Sequence, residues 1–392
     1  MILPLNPAMA TTGPPPVMEA RRWITGRIFP DDRPLINVSQ AAPVDSPPLA
    51  LRQAIADAAL YDPAAHLYGP VLGKPELRAE IAMQFGAAYG GQIAPDQVAI
   101  TQGCNQAFTA VLATLAGAWD EVILPTPWYF NHKMWLDMTG VTAVALATGP
   151  GLIPDAADAA RLITPRTRAI VLVSPNNPGG VEYPAATLTA FRDLARAHRV
   201  ALIVDETYRD FDSRQGAPHT LFADPDWSDT FIQLYSFSKA YRLTGHRVGA
   251  IIASLGRLAE VEKFLDTVAI CPGQLGQIAA LWGMRNLSQW VAGERDEILD
   301  RKAAMISGFK GLPDWHLLGC GAYFAYVEHP YAMPSDQLAK ALVDHASILM
   351  LPGTMFQPAS HPEGARQLRI AFANIDANGI ADLFRRLSKL QL

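Results

Sequence analysis

Apolar residues along this chain fall into two patterns that alternate. Short runs rich in aliphatic and β-branched residues read as buried strands: QVAIT from Gln97, EVILPTP from Glu121, VTAVAL from Val141, RAIVLVSP from Arg168, VALIVDET from Val200, FIQLYSFS from Phe231 and RVGAIIAS from Arg247. Between them, NQAFTAVLATLAG from Asn105 and LTAFRDLARAHR from Leu188 place apolar residues at helical spacing. Strands alternating with helices predict an α/β fold with a mostly parallel sheet.

The flanks read differently. Met1–Pro16, rich in Pro, Ala and Thr, predicts a loose arm able to dock on a partner subunit. Val17–Arg27 predicts a short helix, Leu35–Ser39 a short strand, and LALRQAIADAAL from Leu49 a helix. Gly69–Lys74 superficially has the look of a nucleotide phosphate loop, but it is one residue short and Pro75 stands where that motif needs Ser or Thr. A loop followed by a helix starting near Pro75 and Glu76 fits better. Leu255–Met284 reads as helical, and Ser288–Lys310 as a long polar-faced helix. GAYFAYVE, SILMLPG and LRIAFA then read as strands of a smaller α+β unit. The expected division is an arm with part of the small domain over 1–45, a large domain over 46–287 and a small C-terminal domain over 288–392.

Composition narrows the class. Half of the 392 residues are hydrophobic and 18% are charged, enough for a sizeable core. A net charge of -5 without a basic run argues against a nucleic-acid partner. Three cysteines, Cys104, Cys271 and Cys320, form no metal-ligand spacing and suggest a reducing, cytoplasmic setting. The opening residues carry neither a charged n-region nor a sustained apolar stretch, so neither a signal peptide nor a membrane span is expected.

In open α/β sheets, ligands sit beyond the carboxyl ends of the strands, so the residues just after each apolar run matter most. After QVAIT come Gly103, Cys104 and Asn105, where a strand-to-helix turn leaves free N–H groups for an anion. After EVILPTP come Trp128, Tyr129 and Phe130, of which one could stack on a flat ring while the others fill the core. After RAIVLVSP stands Asn177, an amide able to donate to a phenolate-like oxygen, or simply a turn residue. After VALIV come Asp205 and Tyr208; a carboxylate buried there needs a partner, such as a protonated pyridine nitrogen. Lys239 follows Ser236 and Ser238 and precedes Arg247, so a nucleophilic amine adjoins hydroxyls and a forked cation suited to a phosphate. That combination points to pyridoxal phosphate held as a Schiff base. Arg369, inside an apolar strand, is costly unless it holds an anion, either a substrate carboxylate or a buried ion-pair partner.

In this order and spacing, YGPVLGKPELR, TQGCNQAF, SPNNPGG, VDETY, SFSKAYRLTGHRVG and LRIAFAN resemble the class I and II aminotransferases of fold type I, the aspartate aminotransferase-like pyridoxal phosphate enzymes. The resemblance runs from about Leu35 to the C-terminus and implies that fold. It implies that Lys239 holds the cofactor and shuttles the proton, that Asp205 pairs with the pyridine nitrogen, and that Asn177 and Tyr208 bond the ring oxygen. Gly103, Cys104, Asn105, Ser236, Ser238 and Arg247 would cradle the phosphate, with Tyr129 or Trp128 stacked on the ring. Tyr68 would reach the phosphate of a neighbouring subunit, which implies a homodimer with shared sites. Arg369 would take the substrate α-carboxylate. The chain departs from the family at Ala41, where a glycine is usual, at Gly179 in the SPNNPGG turn, and in lacking an identifiable second arginine for a dicarboxylic side chain. The expected reaction is amino transfer between an amino acid and a 2-oxo acid, with no metal. A β-eliminating lyase on the same scaffold is the alternative, and a non-enzymatic effector-binding module the third reading.

Overall fold

The computed structural model describes residues 3–390. Its helices are α1 Pro7–Thr11, α2 Pro16–Ile24, α3 Leu49–Tyr61, α4 Pro75–Tyr89, α5 Cys104–Ala113, α6 Phe130–Thr139, α7 Ala156–Ala160, α8 Ala185–His198, α9 Leu255–Ala269, α10 Gln274–Asn286, α11 Ser288–Lys310, α12 Ser335–Ala346 and α13 Ala377–Leu387. The strands are β1 Ile36–Asn37, β2 Val98–Thr101, β3 Glu121–Thr126, β4 Thr142–Ala147, β5 Thr167–Val173, β6 Ala201–Asp205, β7 Phe231–Ser236, β8 Gly249–Ile252, β9 His316–Gly321, β10 Phe324–Glu328, β11 Ile348–Leu349, β12 Leu351–Pro352 and β13 Gln367–Ile370.

Every apolar run singled out in the centre of the chain forms a strand of one seven-stranded sheet, ordered β2-β8-β7-β6-β5-β3-β4. Six strands run one way. β8 runs against both neighbours, β7 and β2, so the sheet is mixed. Strands β2, β3, β6, β7 and β8 are buried along almost their whole length, because helices cover both faces. A second sheet, β12-β13-β10-β9, is antiparallel and belongs to a smaller domain beside α11, α12 and α13. The pair β1 and β11 ties the N-terminal segment to that domain.

Three expectations need correction. Residues 255–284 are not one helix: α9 ends at Ala269 and α10 begins at Gln274, with Ile270 at φ 62° and Pro272 between them. Proline denies the preceding residue the helical region, and the chain turns there. LRIAFA is strand only to Ile370, after which Phe372–Asn374 make a single 3₁₀ turn. The N-terminal arm is also more ordered than expected. α1 packs on α6, and α2 packs on β12 and α12, so residues 7–24 bridge the two domains over the cleft. The first two positions of the expected arm, 1 and 2, lie outside the described residues.

Candidate active site

The carboxyl ends of the parallel strands open into a cleft of about 370 Å³. Lys239, Asp205, Tyr208, Asn177, Cys104, Asn105, Tyr129, Ser236, Ser238, Arg247, Arg369 and Ala41 all border it. These positions are up to 328 residues apart in sequence (41 to 369), and the sheet topology brings them together.

The floor begins at Lys239, three residues past β7. Its amine donates to the Ala41 carbonyl at 2.5 Å and faces no carboxylate among the described residues. Tyr208 and Tyr323 lie near, with ring centroids 5.9 and 6.0 Å from Nζ. Burial, then the neighbouring guanidinium groups of Arg247 and Arg369, pull this amine down to about 8. A substantial fraction is therefore neutral, and nucleophilic, near physiological pH.

Asp205 ends β6 and is 3% exposed. His132 Nε2 lies 3.3 Å from its Oδ2, and the Thr207 amide donates to Oδ1 at 3.0 Å. Burial alone would raise this carboxyl. The hydrogen bond and charge of His132, with the bonds from Thr207, outweigh it, and Asp205 titrates below its ordinary value. It thus stays an anion on the cleft floor. The adjacent Glu206 points away, into a buried network with Tyr89, His219 and Gln233. Alternation along the strand end separates the two acids.

Backbone amides, hydroxyls and a guanidinium gather at one end of the cleft. Gly103, at φ 82°, precedes α5, whose first N–H groups are open. A Cβ at Gly103 would run into the Arg247 guanidinium, and one at Gly249 into the Gly103–Cys104 backbone. Backbone contact demands glycine at 249, and the positive φ favours it at 103. Arg247, itself at φ 53°, donates to Ser238 Oγ at 3.4 Å. The Cys104 thiol is pushed well up by burial and by Asp205, so it sits there as a neutral group.

At the other end lies Arg369, 1% exposed within β13. It donates to Asn177 Oδ1 at 3.0 Å and to the Ser39 carbonyl, and three rings, Phe356, Phe324 and Phe130, surround it at 4.9, 5.1 and 5.7 Å. Its Nε has no partner, and among the described residues it has no carboxylate partner. The buried ion pair considered from sequence is therefore not found among them. Burial pulls the guanidinium down to about 10, which leaves it charged at neutral pH.

Of the two aromatic candidates, Tyr129 borders the cleft, bonded by Asn131 at 2.8 Å. Trp128 is 6% exposed and packs into the core behind it, its amide donating to Phe356 O at 2.9 Å. Tyr68 lies apart from the cleft of its own chain and is 80% exposed.

The sequence reading missed His132, which stacks on Phe108 at 3.9 Å beneath the cleft. Its neighbours in the first turn of α6, Asn131 and Lys133, are also polar, so no local pattern marks it. It also missed Val17, Met18, Arg21 and Gln40, which form part of the roof.

The model of the family "Aminotransferase class I and II" matches residues 33–387. The chain is 28% identical to an aromatic aminotransferase of Arabidopsis thaliana over 340 residues, 84% of this chain and 83% of the relative. It is 30% identical to a valine–pyruvate aminotransferase of Mycobacterium tuberculosis over 365 residues, 90% of each. In fold it superposes on the aspartate aminotransferase of Thermus thermophilus with a TM-score of 0.89, at 23% identity, covering 99% of this chain and 100% of the other. The Arabidopsis and Mycobacterium relatives are both aminotransferases, and amino transfer, not the lyase alternative, is the reaction supported. The chain belongs to the class I and II aminotransferases and is an enzyme of this pyridoxal phosphate-dependent family.

Proposed function

We propose that this enzyme binds pyridoxal 5′-phosphate in the cleft and moves an amino group between an L-amino acid and a 2-oxo acid in two half-reactions, with ping-pong kinetics. The observation that carries this reading is Lys239: a buried amine with no carboxylate partner among the described residues, held down to about 8, between Asp205, Arg247 and Arg369.

The donor set fits the group. The Gly103–Asn105 backbone, Ser236, Ser238 and Arg247 supply hydrogen bonds and positive charge for a phosphate. Asn177, Tyr208 and Tyr129 line the cleft; the first two would bond a ring oxygen and Tyr129 would stack on the ring face. Asp205, kept ionised, suits a protonated ring nitrogen. When bound, pyridoxal phosphate supplies an electron-withdrawing ring that stabilises negative charge at the substrate α-carbon.

The chain's own residues do the rest. Lys239 supplies the amine that would hold the cofactor, then takes the proton from the substrate α-carbon as general base and would deliver it to the cofactor carbon. Arg369 binds the α-carboxylate, exchanging its Ser39 carbonyl contact for a charged, bidentate one. Asn177 already bonds that arginine and so links carboxylate and ring positions.

A homodimer is part of the proposal. Leu60, Tyr61, Leu67 and Tyr68 are 66–80% exposed, and Gly69, next to Tyr68, donates to Sγ of Cys271, next to the exposed Ile270. A second copy would cover this apolar surface and bring Tyr68 to its neighbour's phosphate. No helix among the described residues is long and apolar enough to cross a membrane. The cysteine usage and composition favour the cytoplasm.

Borohydride reduction of the loaded enzyme tests the reading. The cofactor should become fixed to the peptide carrying Lys239, and Lys239→Ala should trap none; trapping elsewhere would contradict it. Mixed dimers of Lys239→Ala and Tyr68→Phe protomers should recover part of the activity, since one of the two shared sites is then intact. No recovery would remove the shared site.

A further inference from the structure

Two adjacent arginines of α2 meet different surroundings. Arg22 has Glu19 three residues back, and the pair closes at 2.7 Å. Arg21 has Val17 and Met18 at the positions four and three residues back, and Ile24 and Thr25 ahead, so its helix face carries no acid. Its guanidinium bonds the neutral Gln40 side chain at 2.5 Å and borders the active-site cleft. Among the described residues no carboxylate lies within ion-pair distance of it.

The cleft is bordered by four cationic side chains, Lys239, Arg247, Arg369 and Arg21, and by one carboxylate, Asp205. In the function proposed above, Lys239 becomes linked to the cofactor, Arg247 faces the phosphate, Arg369 faces the α-carboxylate and Asp205 faces the ring nitrogen. Arg21 is the cation left over. Gln40, its partner, precedes Ala41, whose carbonyl accepts from Lys239. The Arg21–Gln40 pair therefore stands one residue along the chain from the contact made by the reacting amine.

We propose that Arg21 reads the distal group of the substrate, and that this group is a carboxylate: the enzyme prefers dicarboxylic amino acids and 2-oxo acids. This rests on the transaminase reading and names its substrate class. A guanidinium bonds a carboxylate through two parallel N–H groups, more strongly than it bonds a neutral amide oxygen. Gln40 holds Arg21 in place between turnovers and yields it to a charged acceptor. Val17, Met18 and Phe130 flank the methylenes of such a substrate. A neutral side chain filling the same space would strip water from Arg21 without supplying a counter-charge, which is unfavourable. The second cation missing from the expected part of the sequence is thus provided by the N-terminal helix.

Equilibrium binding to the holoenzyme tests this directly. Glutarate and valerate have the same carbon chain and differ by one carboxylate. Calorimetry should show glutarate binding about tenfold or more tightly than valerate. Arg21→Ala should remove most of that preference, and Arg21→Lys should retain part of it. The ratio of kcat/KM for glutamate over norvaline should fall in parallel. Arg21 is exposed, and α2 is anchored by the fully buried Ala20, so these variants keep the fold. An undiminished preference in Arg21→Ala overturns the assignment. If the wild-type holoenzyme converts neutral amino acids but binds glutarate no better than valerate, the subsite is wrong and the transaminase reading survives. A holoenzyme inert to every amino acid overturns both.

Discussion

Along the floor of the cleft, Asp205, Asn177, Lys239 and the Gly103 turn follow the ends of parallel strands whose residues are almost all buried. Across the roof, Val17, Met18 and Arg21 come from one nine-residue helix, and Gln40 and Ala41 from the loop after a two-residue strand. The floor is held by backbone ladders, on both sides of β5, β6 and β7 and on one side of the edge strand β2. The roof is held by the packing of α2 on β12 and α12, by the short β1–β11 pair, and by side-chain contacts: Arg21 to Gln40, Asn374 to the Gln40 carbonyl and Ala42 amide, and Lys239 to Ala41. Groups that must keep a fixed geometry through the reaction sit on the more rigid part. The groups proposed to meet the variable part of a substrate sit on the roof. The motif residues Gly103, Asn177, Asp205 and Lys239 lie on the floor, and Ala41 and Arg21 lie on the roof.

Substitutions along the two surfaces should therefore fail in different ways. The largest loss is expected on the floor. Asp205→Asn removes the anion facing the ring nitrogen and should lower kcat by roughly 10²–10³-fold with the cofactor still bound. A kcat within a few-fold of wild type would move the catalytic anion elsewhere. Next comes Arg369→Ala, at the junction of floor and roof. Steady-state kinetics should show KM for amino acids rising by roughly 10–100-fold, with a much smaller change in cofactor affinity. An unchanged KM would remove Arg369 from carboxylate binding. The mildest effect is on pH. Capture of the cofactor aldehyde needs the neutral amine, so the loading rate of the cofactor-free protein should climb as pH rises through about 8 and level off above it. Between about 8 and the ordinary 10.5, the unfolded chain holds a proton on this lysine that the folded chain has released, so its contribution to stability also rises with pH. A loading rate flat from pH 6 to 10, on the order of four decades in proton activity, would contradict the depressed amine.

Much of the floor was legible in the sequence because strand ends announce themselves. An apolar run that stops at Asp205, Asn177 or Gly103 marks both the strand and the side chain delivered beyond it. Lys239 was legible for the same reason, together with its serines and Arg247. His132 was not, because its contact with Asp205 joins α6 to β6, 73 residues apart (132 to 205), and no local spacing encodes it. The sequence favoured Tyr129 over Trp128 only by its place two residues after Pro127. The chain's turn at the start of α6 aims one ring into the core and the other at the cleft. The arm looked loose because its proline-rich composition gives little helical periodicity. Its order comes from packing on α6, β12 and α12, contacts that a linear reading does not contain. Arg21 left a weaker trace: an arginine whose helical neighbours include no acid, directly beside one whose neighbours do.

The central claim is that Lys239 and its surroundings carry amino transfer, and one measurement addresses it most directly. The absorbance spectrum of the purified, cofactor-loaded enzyme should be followed while single amino acids are added with no oxo acid present. The account predicts that the visible band of the lysine-linked cofactor gives way to the band of its amine form, with one equivalent of 2-oxo acid released per site, fastest for a dicarboxylic amino acid. A band that persists while ammonia and oxo acid accumulate over many turnovers, or no such band after loading, would contradict it.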